Sequence, residues 1–344
     1  MLPSSLFFLL LPLLPSTTAT STKPIVLAKS GGFHVAGTVL TNPQNPNETL
    51  SCDHGYLEYF IPWRPRRTSL FFWHSAHMQV WQNRWDGGPG FKDIFLRRDY
   101  PIFLWDAPRL GRANWGCEPY VYVPTWRDQI NFVAWQFGRV WKEWYEGVQF
   151  PTDSDEAWEQ ATRSRYVEFD THENMLLQSR AAAIAADEGK LGDSIVLMTN
   201  SVAGLRAQMA AVMQNKTNIK GIVTYESYGF VYPDNANVTE VRGGFGPVVV
   251  PLEDFKKLAK VKIQYVWGDN RLENDTWVTQ GRLAMNLINS YGGDASMLFL
   301  AGEPGLKGST HSAMADLDNE KVADLLSDYL REKKMDRYGE WKWF

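Results

Sequence analysis

Residues 194–212 read SIVLMTNSVAGLRAQMAAV, and the fold follows from how this stretch is parsed. SIVLMT is a continuous apolar run with β-branched residues, the pattern of a strand buried on both faces. VAGLRAQMAAV is helix-forming and starts at once, so strand and helix are joined by Thr199-Asn200-Ser201-Val202-Ala203-Gly204 alone. A turn this sharp lifts one residue above the sheet edge, and the residues two before and two after it must be small. Here these are Thr199 and Ala203, with Ser201 between them. The arrangement predicts a nucleophile elbow with Ser201 as nucleophile; the plainer alternative is a serine that only caps the helix.

Working outward, the same rhythm recurs. TSLFFWH (68–74) and YPIFLWD (100–106) read as strands buried on both faces, and KGIVTYE (220–226), VKIQYVWGD (261–269) and ASMLFLAG (295–302) as further strands. FHVAGTVL (33–40) and GYLEYFIP (55–62) alternate like antiparallel strands with one wet face. Helical patterns cover 172–189, 202–215, 276–292 and 312–334. The expected architecture is α/β: a mostly parallel, doubly wound sheet with two antiparallel strands in front. Residues 107–170 interrupt it with a segment rich in Trp, Pro, Gly and Arg. An insertion of this size suggests a lid or a specificity region, with one amphipathic helix expected over 126–147 whose aromatic stripe reads first as packing.

A serine nucleophile needs a base, and GEPGLKGSTHSAMADLDNEKVADLLSDYL (302–330) offers one. His311 follows a polar, glycine-containing loop after the last strand, which can carry an imidazole to the top of the sheet. The imidazole in turn needs a carboxylate to set its tautomer. Glu226 ends the strand after the elbow helix, and Asp269 ends the next one. Glu226 is preferred because its strand should emerge beside Ser201, whereas Gly268-Asp269-Asn270 is also good turn chemistry. Both remain open. The oxyanion donors expected are the Val202 N–H and an N–H from the loop 73–78, with Ala76 or Ser75 as the second donor.

These segments together are similar to one branch of the α/β-hydrolase superfamily, the secreted bacterial and fungal serine esterases. YLEYFIP, FFWHSAHMQVW, DGGPGFKDIFLRRDYPIFLWDAPRLGRA, TNSVAG and HSAMADLDNEKVADLL carry the resemblance, which spans residues 33–334. The branch has an HGGG-type segment after its third strand, and its triad acid is a glutamate that maps onto Glu226. Two departures stand out. The HGGG-type run is His74-Ser75-Ala76-His77, and the elbow glycines are Thr199 and Ala203.

The remaining signals concern export. LFFLLLPLL (6–14) followed by PSTTATST reads as a signal peptide over residues 1–20, leaving 21–344 as one hydrolase domain. Four N-x-Thr sequons, at Asn47, Asn215, Asn237 and Asn274, are candidate glycosylation sites. The two cysteines, Cys52 and Cys117, are expected to pair in an oxidising compartment; the alternative is two buried thiols. The 344 residues carry a net charge of -4 spread over the chain, which argues against nucleic acid or, after signal removal, a membrane as a partner. No Cys/His spacing suggests a metal, and no cofactor is expected. The expected function is a secreted hydrolase cleaving an ester-like small molecule through an acyl-enzyme. The other readings are a hydrolase-fold enzyme acting on a polyketide- or peptide-derived natural product, and a catalytically idle binding protein on the same scaffold.

Overall fold

A computed structural model describes residues 23–74, 78–119, 124–163 and 170–339. The expected signal peptide lies outside the described residues. The central sheet has eight strands: β1 (Leu27–Val35), β2 (Gly55–Pro62), β3 (Ser69–Trp73), β4 (Ile102–Asp106), β5 (Ile195–Asn200), β6 (Ile219–Tyr225), β7 (Lys262–Trp267) and β8 (Asp294–Phe299). Their order across the sheet is β1-β2-β4-β3-β5-β6-β7-β8. β2 runs antiparallel to both neighbours, and all pairings from β4 to β8 are parallel.

The apolar runs behave as strands covered on both sides. In β3, Leu70 and Phe72 enter one core layer while Phe71 and Trp73 enter the other; Ile102 and Leu104 of β4 alternate with Phe103 and Trp105 in the same way. One layer is closed by α2 (His172–Asp187), α3 (Ala203–Met213) and α4 (Thr276–Ser290), the other by α1 (Phe91–Arg97) and α5 (Asn319–Glu332). Thr171 caps α2 by accepting from the Asn174 N–H, and Asp275 caps α4 by accepting from the Trp277 N–H. On α5, Val322, Ala323, Leu326, Tyr329 and Leu330 are buried, one stripe at helical spacing.

Two expectations about local structure are corrected. The single strand over 33–40 is two: β1 ends at Val35, Ala36 and Gly37 turn at positive φ, and Thr38–Asn42 pairs with Asn45–Cys52 in a separate exposed hairpin. The antiparallel pair expected in front of the parallel sheet is present as β1 and β2. The helix over 126–147 covers only Asp128–Ala134, and Gly138–Val140 then pairs with Glu143–Trp144. Gln136 (φ 63°) and Lys142 (φ 67°) reverse the chain, which wraps Phe132, Phe137, Trp141, Trp144, Phe150 and Trp158 around one another. Phe137 and Phe150 approach to 4.4 Å between ring centroids. Aromatic packing has overridden the helical spacing of the same residues.

Cys52 and Cys117 are joined in a disulfide that anchors the segment after β4 to the strand end before β2. Beside it, Arg109 holds Asp53 through a two-pronged ion pair and reaches Asn174 on α2. The four sequon asparagines are exposed, Asn47 on the second strand of the hairpin.

Candidate active site

The site lies at the carboxyl ends of β5, β6 and β7, where parallel α/β sheets collect functional loops. Ser201 follows β5 directly and has φ 57°, left-handed backbone that a serine adopts at a cost of about 1–2 kcal/mol. Surrounding hydrogen bonds hold it there. The Ser201 N–H donates to the Tyr225 carbonyl at 3.0 Å, and its own carbonyl accepts from Gly204 at 3.0 Å and Tyr228 at 3.1 Å. α3 starts two residues later, so the Val202 N–H sits at the open end of a helix, where the first N–H groups have no helical partner.

The side chains flanking the serine explain the need for small residues. Thr199 and Ala203 are fully buried. A Cβ on Gly204 would stand 2.1 Å from Ser227 Oγ and 2.5 Å from Thr224 Oγ1, so α3 approaches the β6 end at a distance only glycine permits.

His311 does not enter α5 directly. It sits on a loop followed by a turn of 3₁₀ helix, Ala313–Ala315, and α5 begins at Asn319. The loop is fastened from three sides. Asn200, next to the serine, donates from Nδ2 to the carbonyls of His311 (2.8 Å) and Tyr225 (3.1 Å). Buried Asp316 accepts from the Thr310 N–H at 2.7 Å and lies 2.8 Å from its hydroxyl. The insertion supplies the third fastening: the His311 N–H donates to the Trp135 carbonyl at 3.0 Å, and Gln149 bonds to Gly308, Lys307 and Leu317. Trp135 and Gln149 of the insertion are thus hydrogen-bonded to the histidine loop.

The two candidate carboxylates go to different places. Glu226 follows β6 at φ 51° and is 1% exposed; its Oε2 lies 3.6 Å from His311 Nδ1, an ion-pair separation longer than a hydrogen bond. Oε1 accepts from the Gly268 N–H at 2.6 Å. Asp269 instead accepts from the Gly308 N–H at 2.5 Å, while its own N–H donates to Ser309. It ties the histidine loop to the end of β7 through backbone. The geometry therefore sets Glu226 against His311, fastens the His311 loop to Asn200 next to Ser201, and leaves Asp269 in a loop-fastening position. Ala76, with Ser75 and His77, lies outside the described residues.

Sequence reasoning missed Arg271. Its side chain is 7% exposed, and it donates from Nε to Glu226 Oε2 at 2.5 Å, from Nη1 to Asp275 at 3.1 Å and from Nη2 to the Tyr228 hydroxyl at 2.6 Å. The only local hint is the i,i+4 spacing to Asp275; in a turn, Gly-Asp-Asn-Arg otherwise reads as solvated. Asn200 was missed as well, because a residue inside an elbow gives no sign of which loop it will reach.

Burial works to raise the Glu226 carboxyl, but His311 and Arg271 outweigh it and hold it below the usual carboxylate range. Burial also pushes the His311 imidazole below its ordinary value; Glu226 opposes this and Arg271 adds to it. A neutral imidazole next to an ionised carboxylate is the resting state a general base requires. Among the described residues no group of three or more His, Cys, Asp and Glu side chains is placed to hold a metal ion.

The strand order, the single reversed strand, the serine turn after β5 and the histidine loop after β8 are now all in place. This is an α/β-hydrolase fold. A bacterial esterase solved at atomic resolution, 22% identical, superposes with a TM-score of 0.71 over 90% of this chain and 98% of that one. Looser similarity extends to the peroxisomal α/β-hydrolase of Saccharomyces cerevisiae, with a TM-score of 0.47 at 9% identity over 91% of each chain. Esterase 2 of Thermogutta terrifontis, phosphonylated by sarin, gives 0.43 at 11% identity over 87% and 95% of the two chains. No protein-family profile matches the sequence, and no curated protein matches it.

Proposed function

We propose that this α/β-hydrolase-fold chain is a secreted serine hydrolase that cleaves an ester or related acyl bond through an acyl-enzyme. Ser201 Oγ attacks the carbonyl carbon while His311 takes the hydroxyl proton, and Glu226 orients the imidazole and stabilises the imidazolium. The tetrahedral oxyanion is met by the Val202 N–H. Collapse releases the alcohol, which receives the proton from His311; water then adds by the same route and frees the acid.

The observation that carries this reading is the strained Ser201 at φ 57° beside a buried His311–Glu226 pair. Strain at a non-glycine residue persists where surroundings enforce it, and here they present a hydroxyl at the top of the sheet. The bacterial structure of the same fold is that of an esterase, which agrees with ester hydrolysis here. Export and glycosylation are supported by the N-terminal apolar run, the four exposed sequons and the disulfide.

A fluorophosphonate probe tests the assignment. The expected result is one labelled site, mapped to Ser201 by peptide mass and absent in Ser201→Ala, together with hydrolysis of p-nitrophenyl acetate that the variant loses. Wild-type protein that is folded yet neither labels nor hydrolyses the ester would favour the idle-scaffold reading.

A further inference from the structure

The carboxylate beside His311 is not free to serve the imidazole alone. Glu226 Oε2 stands 2.5 Å from Arg271 Nε and 3.6 Å from His311 Nδ1, so a single oxygen is held between a permanent cation and the base. Arg271 is itself fixed at all three nitrogens, by Glu226, Asp275 and the Tyr228 hydroxyl. Asp275 also caps α4, and the Tyr228 N–H donates to the Ser201 carbonyl. The Tyr228 ring lies 5.3 Å from the His311 ring and stacks on Trp277 in the first turn of α4. The arginine thus connects the acid, the serine turn and the start of α4.

From this geometry we infer that Arg271 is a positioning residue, which fixes the Glu226 carboxylate for His311 and determines the pH at which the Glu226–His311 pair takes up a proton. The inference rests on the hydrolase reading of the site. An ionised glutamate alone would draw a proton onto the pair. A cation within hydrogen-bonding distance opposes that, whichever of the two groups receives the proton.

The other charged groups around His311 do not substitute for it. Asp275 lies beyond Arg271 and is paired to it. The Asp269 carboxylate faces Gly308. Asp316, on the histidine's own loop, is turned to Thr310, and burial raises its carboxyl well above the usual range. From the insertion, the contact to His311 is the Trp135 backbone carbonyl. Tyr228 faces the ring as a phenol whose own ionisation burial pushes up to about 12.

The experiment compares wild type with Arg271→Met and Arg271→Lys. The pH dependence of kcat/KM on p-nitrophenyl acetate is one readout. Titration of His311 by nitrogen NMR, its signal identified by loss in His311→Gln, is the other and does not depend on hydrolysis. In Arg271→Met, both the acid limb and the His311 titration should move to higher pH. In Arg271→Lys the charge remains, so the limb should stay near that of wild type while kcat falls about tenfold, because one ammonium cannot hold three partners in a fork. A folded Arg271→Met with unmoved limb and titration would overturn the role in proton uptake. Unchanged kcat in Arg271→Lys would overturn the positioning role, and this arm remains decisive if Arg271→Met does not fold. Failure of the hydrolase reading is recognised separately, by a wild-type protein that fluorophosphonate does not label while the His311 titration still responds to Arg271.

Discussion

Exchanging Glu226 for glutamine and, separately, Asp269 for asparagine distinguishes the two carboxylates that flank the histidine loop. Glu226→Gln keeps the shape and an acceptor for the Gly268 N–H but removes the charge that stabilises an imidazolium 3.6 Å away. Loss of the orienting acid in a triad costs about 10⁴ in turnover, or about 5 kcal/mol of transition-state stabilisation. The same change reaches stability. Arg271, with its side chain 7% exposed, loses its shortest ion pair and keeps Asp275 at 3.1 Å and the Tyr228 hydroxyl. Breaking a buried pair outright costs about 3–5 kcal/mol, and the surviving Asp275 contact reduces this to about 2–3 kcal/mol. Asp269→Asn retains an oxygen for the Gly308 N–H and loses only the charge on that bond, about 1 kcal/mol, with activity within about tenfold of wild type. Steady-state kcat on p-nitrophenyl acetate and urea midpoints measure both effects. The reverse pattern, with Asp269→Asn the inactive variant, would refute the reasoning, as would a Glu226→Gln enzyme within tenfold of wild type.

Because burial lowers the His311 imidazole from its ordinary value of 6.5, the base remains neutral at lower pH than an exposed histidine would. The acid limb of kcat/KM should therefore lie below pH 6.5, activity being lost as pH falls through the folded-state value; a limb above 6.5 would contradict this. Gly204→Ala should cost about 1–3 kcal/mol and lower activity, since its Cβ meets Ser227 Oγ at 2.1 Å and α3 must shift under the elbow; thermal unfolding with a parallel rate assay checks it. Replacing both Cys52 and Cys117 by serine should lower stability by about 3–4 kcal/mol, because the bridge closes a loop spanning 65 residues, and denaturant titration reads the loss.

Much of this protein is legible from local pattern. Continuous apolar runs such as SLFFW and IVLMTN have one stable environment, a strand covered on both faces, and the helices between them make the sheet parallel. A strand joined to a helix through Asn200-Ser201-Val202 leaves the serine little choice but the strained turn, because the chain has no slack there. Strand counting likewise brings Glu226, the residue after β6, to the same edge of the sheet as Ser201.

What the tertiary structure decided are the relations between segments far apart in sequence. The 126–147 stretch carries helical spacing, yet its aromatics gain more by packing on one another, so only Asp128–Ala134 is helix. Asp269 and Glu226 are both carboxylates after adjacent strands, and nothing local says which one His311 meets. That is decided by a loop whose backbone is bound by Asn200, Asp316 and Trp135, contacts spanning from 6 to 176 residues, with Asn200 111 residues away. Arg271 shows the same limit most clearly. Its charge in a turn predicts a solvated side chain, and only the approach of β6 to β7 buries it against Glu226, 45 residues earlier. A charge is removed from water only when its partner arrives, and a linear sequence does not show the arrival.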